Sequence, residues 1–419
     1  MWVAAAALVL SVLAILPGEG LHDLALVPWV LLVLVALADL GLSFARGKTL
    51  DFTMQPEIFT GETQDLTLDV SSAPEGLTAR LDWPEGLSGP AEAVFRDGKA
   101  IVPCRGVRRG TWGIAHLWLK WPSRLKLFEF VPRLPFGLQV RVVPNIRLVQ
   151  SGEIATQVQS ALFGVKENRA IGEGSEFHQL REFVQGMDTK SIDWKRSARM
   201  RHLVAKELRA ERNHHVIIAI DNGYLMREVI AGLPKIDHAV NAALAVAWAA
   251  AVGGDLVGYY SYDVRPRIFG APEQGRTAFA RLRSWTAGLE YVDRETNHTL
   301  ALTELNARTP KRSLIIIFTD FIDTTSAELL IENIAILAKR HLLIFVTIRD
   351  PETEALVTTA PEDMDGVATL VAANQTIAER RLVMERLARL GVTVLDAKPN
   401  TVTAQLVSTY LDIKSRELI

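Results

Sequence analysis

The sequence predicts a mostly parallel, Rossmann-like α/β domain preceded by an all-β sandwich and two transmembrane helices. Three observations predict it. From His214 onward, short continuous apolar runs alternate with helical stretches, and unbroken apolar strands belong to parallel sheets covered on both faces. Upstream, about a hundred residues of short alternating strands are broken by Gly, Pro, Asn and Asp, the pattern of a sandwich. Ahead of both lie two apolar stretches, with Asp39 the one charge in the second.

In chain order, residues 1–48 are expected to form a transmembrane helical hairpin. Residues 1–16 carry no charge, and residues 24–44 carry only Asp39. At about 1.5 Å per residue the second run is long enough to cross a hydrocarbon core of roughly 30 Å. The Leu-Pro-Gly-Glu-Gly that ends the first run lacks a small-residue cleavage site, so retention is expected rather than removal. The connection holds Glu19 and Asp23, whereas Arg46 and Lys48 follow the second run. Positive flanks stay on the cytoplasmic side. The expected location is therefore the inner (cell) membrane, multi-pass, with the soluble domains cytoplasmic.

Residues 49–146 are expected to form the β-sandwich. Leu66-Thr67-Leu68-Asp69-Val70 and Leu117-Trp118-Leu119-Lys120-Trp121 alternate as half-buried strands do, and Asp97-Gly98 signals a tight hairpin. Three arginines at Arg105, Arg108 and Arg109 read as a solvated turn ahead of a strand. Residues 147–212 form a basic connecting region. Its aromatics after residue 172 are Phe177, Phe183 and Trp194 alone, and acids are interleaved with the bases. Nucleic acid is therefore not an expected partner. The whole-chain charge of −2 adds no pull toward one. A single cysteine, Cys104, excludes an intramolecular disulfide.

Residues 213–419 carry the α/β pattern. Apolar strands are expected at Val216-Ile217-Ile218-Ala219-Ile220, Leu256-Val257-Gly258-Tyr259-Tyr260, Leu314-Ile315-Ile316-Ile317-Phe318 and Leu342-Leu343-Ile344-Phe345-Val346, with a weaker one at Val392-Thr393-Val394-Leu395. Ligands of such sheets bind beyond the carboxyl ends of the strands, where Asp221 and Asp320 follow two of these runs. If the two strands are neighbours, the carboxylates converge and could hold Mg²⁺. Alternatively, each caps a local turn. The phosphate loop, the nucleophile elbow and the His-Glu-x-x-His helix have no counterpart in the sequence, so no enzymatic activity is expected. In Ser191-Ile192-Asp193-Trp194, the expectation is that Ile192 and Trp194 pack a short helix onto the sheet while Asp193 pairs locally, the alternative being that the basic helix face docks a partner's acidic surface.

Asp221 to Leu225, Gly254-Asp255-Leu256-Val257-Gly258 and the strand ending in Thr319-Asp320 resemble a von Willebrand factor A domain. Phe177 to Phe183, Gly186-Met187-Asp188 and Ile192-Asp193-Trp194-Lys195-Arg196-Ser197-Ala198-Arg199 resemble the signature of the bacterial family catalogued as domain of unknown function fifty-eight. The resemblance implies a membrane-anchored A-like protein that works with a MoxR-type AAA+ ATPase. It also implies metal ligands at Asp221 and Asp320, but Gly223 and Leu225 stand where metal-binding A domains carry two serines. The middle threonine of that pattern could be Thr296 or Thr299. No cofactor is expected, and Mg²⁺ would meet a degenerate ligand set. The expected function is a cytoplasm-facing scaffold or adaptor that contacts a protein partner through Asp320, Asp221, Lys195, Arg196 and Arg199. The alternative is a divalent-metal-dependent adhesion or sensor module using Asp221 and Asp320.

Overall fold

The computed structural model describes residues 8–9, 11–12, 26–43, 50–71, 73–166, 176–209, 214–358, 360 and 363–416. The chain divides into two compact units, Met1–Val143 and Pro144–Ile419.

The first unit opens with helix α1 (Val27–Ser43). The expectation of two transmembrane helices is not met: among the described residues no helix is long and apolar enough to cross a membrane. The physical reason is length and attachment. Its 17 residues reach about 26 Å at 1.5 Å each, short of a hydrocarbon core of roughly 30 Å. Its one charged residue, Asp39, is tied to a turn of the sandwich rather than left in an apolar run. The Asp39 carboxylate accepts from Leu125 N–H at 3.1 Å and from Ser43 Oγ at 3.1 Å, while Ser43 Oγ accepts from Arg124 N–H at 3.0 Å. Most of the first apolar run falls outside the described residues.

The sandwich itself is present. One sheet holds β1 (Leu50–Thr53), β3 (Thr63–Val70), β7 (Lys99–Gly106) and β5 (Leu87–Ser88), in the order β1-β3-β7-β5. The other holds β2 (Glu57–Phe59), β10 (Arg133–Val143), β8 (Gly110–Pro122), β4 (Thr78–Leu81) and β6 (Glu92–Val94), in the order β2-β10-β8-β4-β6, with β9 (Glu129–Phe130) paired to β8. Burial alternates strictly along most of β7, so Ala100, Val102 and Cys104 face the core with Leu66, Leu117 and Val140. Asp97 and Gly98 both adopt positive φ, as a primed two-residue turn requires, and Arg96 and Lys99 bond to each other across it. The turn differs from a simple hairpin in one respect: β6 and β7 belong to different sheets, so it carries the chain across the sandwich. Arg109 is buried rather than solvated.

The second unit begins with α2 (Arg147–Gln150) and α3 (Glu153–Lys166), followed by a hairpin of β11 (Glu176–Glu182) and β12 (Val204–Arg209) that encloses α4 (Trp194–Met200). Thus the basic connecting region contains regular structure of its own. A sheet of six strands follows: β13 (His215–Asp221), β16 (Leu256–Tyr262), β17 (Pro266–Gln274), β18 (Leu314–Phe318), β19 (Leu342–Ile348) and β20 (Thr393–Ala397), with a small hairpin of β14 (Val229–Ile230) and β15 (Leu233–Pro234) outside it. The order is β17-β16-β13-β18-β19-β20, parallel throughout except for the antiparallel edge strand β17. All five residues of β18 are buried, as a central parallel strand demands.

Helices cover both faces. One face packs Ile217, Ile315 and Leu343 against α7 (His298–Arg308), α8 (Thr324–Ala338) and α10 (Met364–Arg389). Three further helices complete the set, α5 (Lys235–Val252), α6 (Arg276–Ala287) and α11 (Val402–Ser415), with the short α9 (Pro351–Thr358) before α10. Nearly every residue of α5 is buried, alanines prominent among them. A helix apolar all round has to be enclosed, and alanine lets its neighbours approach closely. Tyr410 of α11 donates its hydroxyl to buried Asp255, just past the carboxyl end of α5. Lys414 also pairs with Asp255, at 2.8 Å.

Candidate functional site

β13 and β18 are hydrogen-bonded neighbours, so the sheet does bring the chain segments bearing Asp221 and Asp320 to one edge. Alternation then separates the two carboxylates. Asp221 has the parity of Ile217 and Ala219, and Thr319, not Asp320, shares its side of the sheet.

Asp221 is 2% exposed, and hydrogen bonds occupy both of its oxygens. Oδ1 accepts from Gly223 N–H at 2.8 Å and from Thr296 Oγ1 at 2.5 Å, and Oδ2 accepts from Thr319 Oγ1 at 2.6 Å. The threonine left open by spacing is therefore Thr296. Thr299 instead accepts from Asn333 Nδ2 at 3.2 Å. Gly223 is demanded by this packing, because a Cβ there would sit 2.0 Å from Thr296 Oγ1. Burial pushes the Asp221 carboxyl above its ordinary range, against the pull of nearby His298 and of the two hydroxyls. Burial pushes His298 down in turn.

Asp320 is 3% exposed and lies between two cations. Lys235 Nζ contacts Oδ2, while Arg380 Nη1 donates to Oδ1 at 2.8 Å. Oδ1 also accepts from Phe321 N–H at 3.0 Å and from Thr347 Oγ1 at 3.1 Å. Arg380 continues to Asp396 at 3.1 Å, and Asp396 to Arg349 at 3.1 Å. Lys235 holds a second carboxylate, Glu228. Burial raises the Asp320 carboxyl, but Arg380 and Lys235 outweigh it and hold the group below its usual range.

The donor set does not suit a divalent cation. Both Asp221 oxygens already accept from protein donors, Asp320 faces an ammonium and a guanidinium, and Gly223 and Leu225 offer no side-chain oxygen. Mg²⁺ needs about six oxygens. Among the described residues, no three of His, Cys, Asp and Glu converge to hold a metal. Cys104 offers no nucleophile either, since burial in the sandwich core pushes its thiol up to about 12.

The basic candidates lie elsewhere, on α4. Asp193 caps that helix by accepting from Arg196 N–H at 3.1 Å and pairs with Lys206 at 3.5 Å. Its carboxyl is lowered by that backbone bond and by Lys206. Ile192 is buried, and Ser197 Oγ accepts from Val204 N–H at 2.9 Å, binding α4 to β12. Trp194 was expected in the core, yet it is 67% exposed. It opens α4 three residues before the buried Ser197 and is left in solvent, as are Lys195, Arg196 and Arg199. Sequence reading missed Lys235, Arg380 and Glu228 altogether. Only Lys235 carried a signal: a cation opening an Ala-rich helix opposes the helix dipole and calls for a carboxylate nearby.

Comparison with known proteins gives a family and little more. The family model described as "Protein of unknown function DUF58" matches residues 179–386. No curated protein matches. The crystal structure of conserved hypothetical protein BatB from Bacteroides thetaiotaomicron is similar at 14% identity, over 48% of this chain and 99% of that one, with a TM-score of 0.33. The crystal structure of an uncharacterized membrane spanning protein from Vibrio fischeri matches at 14% identity, over 48% of this chain and 98% of that one, with a TM-score of 0.18. The match across the hairpin, α4 and most of the six-stranded sheet is the decisive one: the chain belongs to the DUF58 family.

Proposed function

We propose that this protein is a non-enzymatic adaptor whose α/β unit docks a protein partner through Trp194 and the basic face of α4. One observation carries the reading. Within a signature whose Ile192, Asp193 and Ser197 all serve the local fold, the largest side chain is left in solvent among Lys195, Arg196 and Arg199. An exposed tryptophan on a short helix that also exposes three cations has the make-up of an interface hot spot, and the helix's charge favours an acidic counterpart. The antiparallel edge strand and otherwise parallel sheet support the likeness to a von Willebrand factor A domain. The family resemblance makes a MoxR-type AAA+ ATPase the first partner to test. Retention at a membrane, with the soluble units on the cytoplasmic side, belongs to the same reading. The exposed apolar surface of α1 supports it, since such a surface calls for an apolar neighbour. Recovery of the native protein wholly in the soluble fraction would remove that part.

The test is binding of the purified full chain to the MoxR-type ATPase of the same organism, with wild type and Trp194→Ala compared. Loss of a central aromatic should weaken binding at least tenfold, about 1.4 kcal/mol or more, and leave the melting temperature unchanged. Lys195→Glu should slow association and blunt its salt dependence. Equal affinity of Trp194→Ala and wild type would sink the docking surface.

A further inference from the structure

Lys235 sits where a lysine is disfavoured. It is the first residue of an 18-residue helix, at the end where the dipole repels cations and attracts anions. Its side chain is only 7% exposed. Two carboxylates hold it there, and they differ in kind. Asp320 is fixed by Arg380, Thr347 and Phe321 N–H as well as by Lys235. Glu228 is 53% exposed, and Lys235 is the one partner its carboxylate has among the described residues. A half-exposed side chain that reaches a nearly buried ammonium occupies a path from solvent to that ammonium. Glu228 lies between a single turn of 3₁₀ helix, Tyr224–Arg227, and the small hairpin β14–β15. Its backbone carbonyl accepts from Lys235 N–H at 2.8 Å, so its side chain can swing away while the backbone stays in place.

We propose that Lys235 anchors a carboxylate-binding site at the carboxyl edge of the sheet. Glu228 is its built-in occupant, displaced when an Asp or Glu side chain of a protein partner enters. The exchange swaps one carboxylate for another on the same ammonium, so the buried charge balance around Asp320 and Arg380 is preserved. The site shares no residue with the Trp194 surface, so failure of one does not imply failure of the other.

The probes are sodium acetate and a tri-glutamate peptide, each compared with sodium chloride at equal ionic strength, and the readout is the melting temperature of the full chain. With Glu228→Ala, the vacated site should bind either probe, and melting should rise saturably as bound-ligand stabilisation requires. Wild type, with Glu228 in place, should need at least tenfold more probe for the same rise. Glu228→Gln keeps the reach of the side chain without its charge and should respond as the alanine variant does. Lys235→Met in the Glu228→Ala background should abolish the response. Should that double variant not fold, the glutamine variant decides alone. Identical acetate responses in wild type and Glu228→Ala overturn the proposal. So does a response confined to Glu228→Ala and absent in Glu228→Gln, because acetate would then only be filling a cavity.

Discussion

At Asp320 a carboxylate read from sequence as a partner contact at a strand end is the centre of a buried ion cluster. That reverses the expected result of removing it. At an exposed edge Asp320→Ala would cost no more than a lost cap, about 1 kcal/mol. Between Lys235 and Arg380 it leaves two cations short of a counter-charge, and breaking such a pair costs about 3–5 kcal/mol. For a unit of this size that is a fall in melting temperature of roughly 10 °C. A melting curve of the variant checks it, and a shift under two degrees would mean the cluster is solvated. Asp221 and Asp320 were both legible as carboxylates at strand ends. What each carboxylate touches was not legible, because Lys235, Arg380 and Thr296 come from segments far away in the chain and only the packed sheet gathers them.

Among the elements, strands were the most legible. A fully buried parallel strand must be apolar at every position, so β13, β18 and β19 announced themselves. Helix α1 was legible as a helix but not in its role. Asp39, the lone charge in its apolar run, proved to be its attachment to the turn before β9. Asp39→Ala should remove the carboxylate that accepts from Leu125 N–H. Hydrogen exchange of that amide should then quicken about tenfold, the equivalent of one hydrogen bond to a charged group. Unchanged protection would show that the turn holds without the helix. Helix α4 misled for a related reason. Aromatic residues more often fill cores, but the buried face of this short helix is already taken by Ser197, with Ile192 just before it.

Across the whole molecule three histidines contribute to the response to acid. His238, His298 and His341 are each held below the ordinary imidazole range, in every case first by burial. A depressed histidine binds fewer protons folded than unfolded. Its stabilising contribution is therefore complete above about pH 6.5, the unfolded value, and is lost as pH falls below it. Asp221, raised by burial, works in the opposite sense, costing stability as pH rises through its folded value. The histidines should therefore make the molecule melt lower at pH 5.5 than at pH 7.5. His341 isolates the effect, since neither ring nitrogen has a hydrogen-bond partner among the described residues. His341→Phe should narrow the gap between the two melting temperatures, and an unaltered gap would show that this imidazole does not titrate with unfolding.

The α/β sheet, the sandwich ahead of it and the family were determined by the sequence alone, since they follow from local periodicity, turn chemistry and a contiguous motif. Local pattern is enough there because each strand's burial is written in its own residues. The tertiary structure decided the rest. It tied α1 to the sandwich through Asp39, exposed Trp194, chose Thr296 over Thr299 as the partner of Asp221, and set Lys235 and Arg380 against Asp320. Each of those outcomes joins residues distant in sequence. The energy of such a contact depends on who the neighbour is, and no single segment of the chain carries that information.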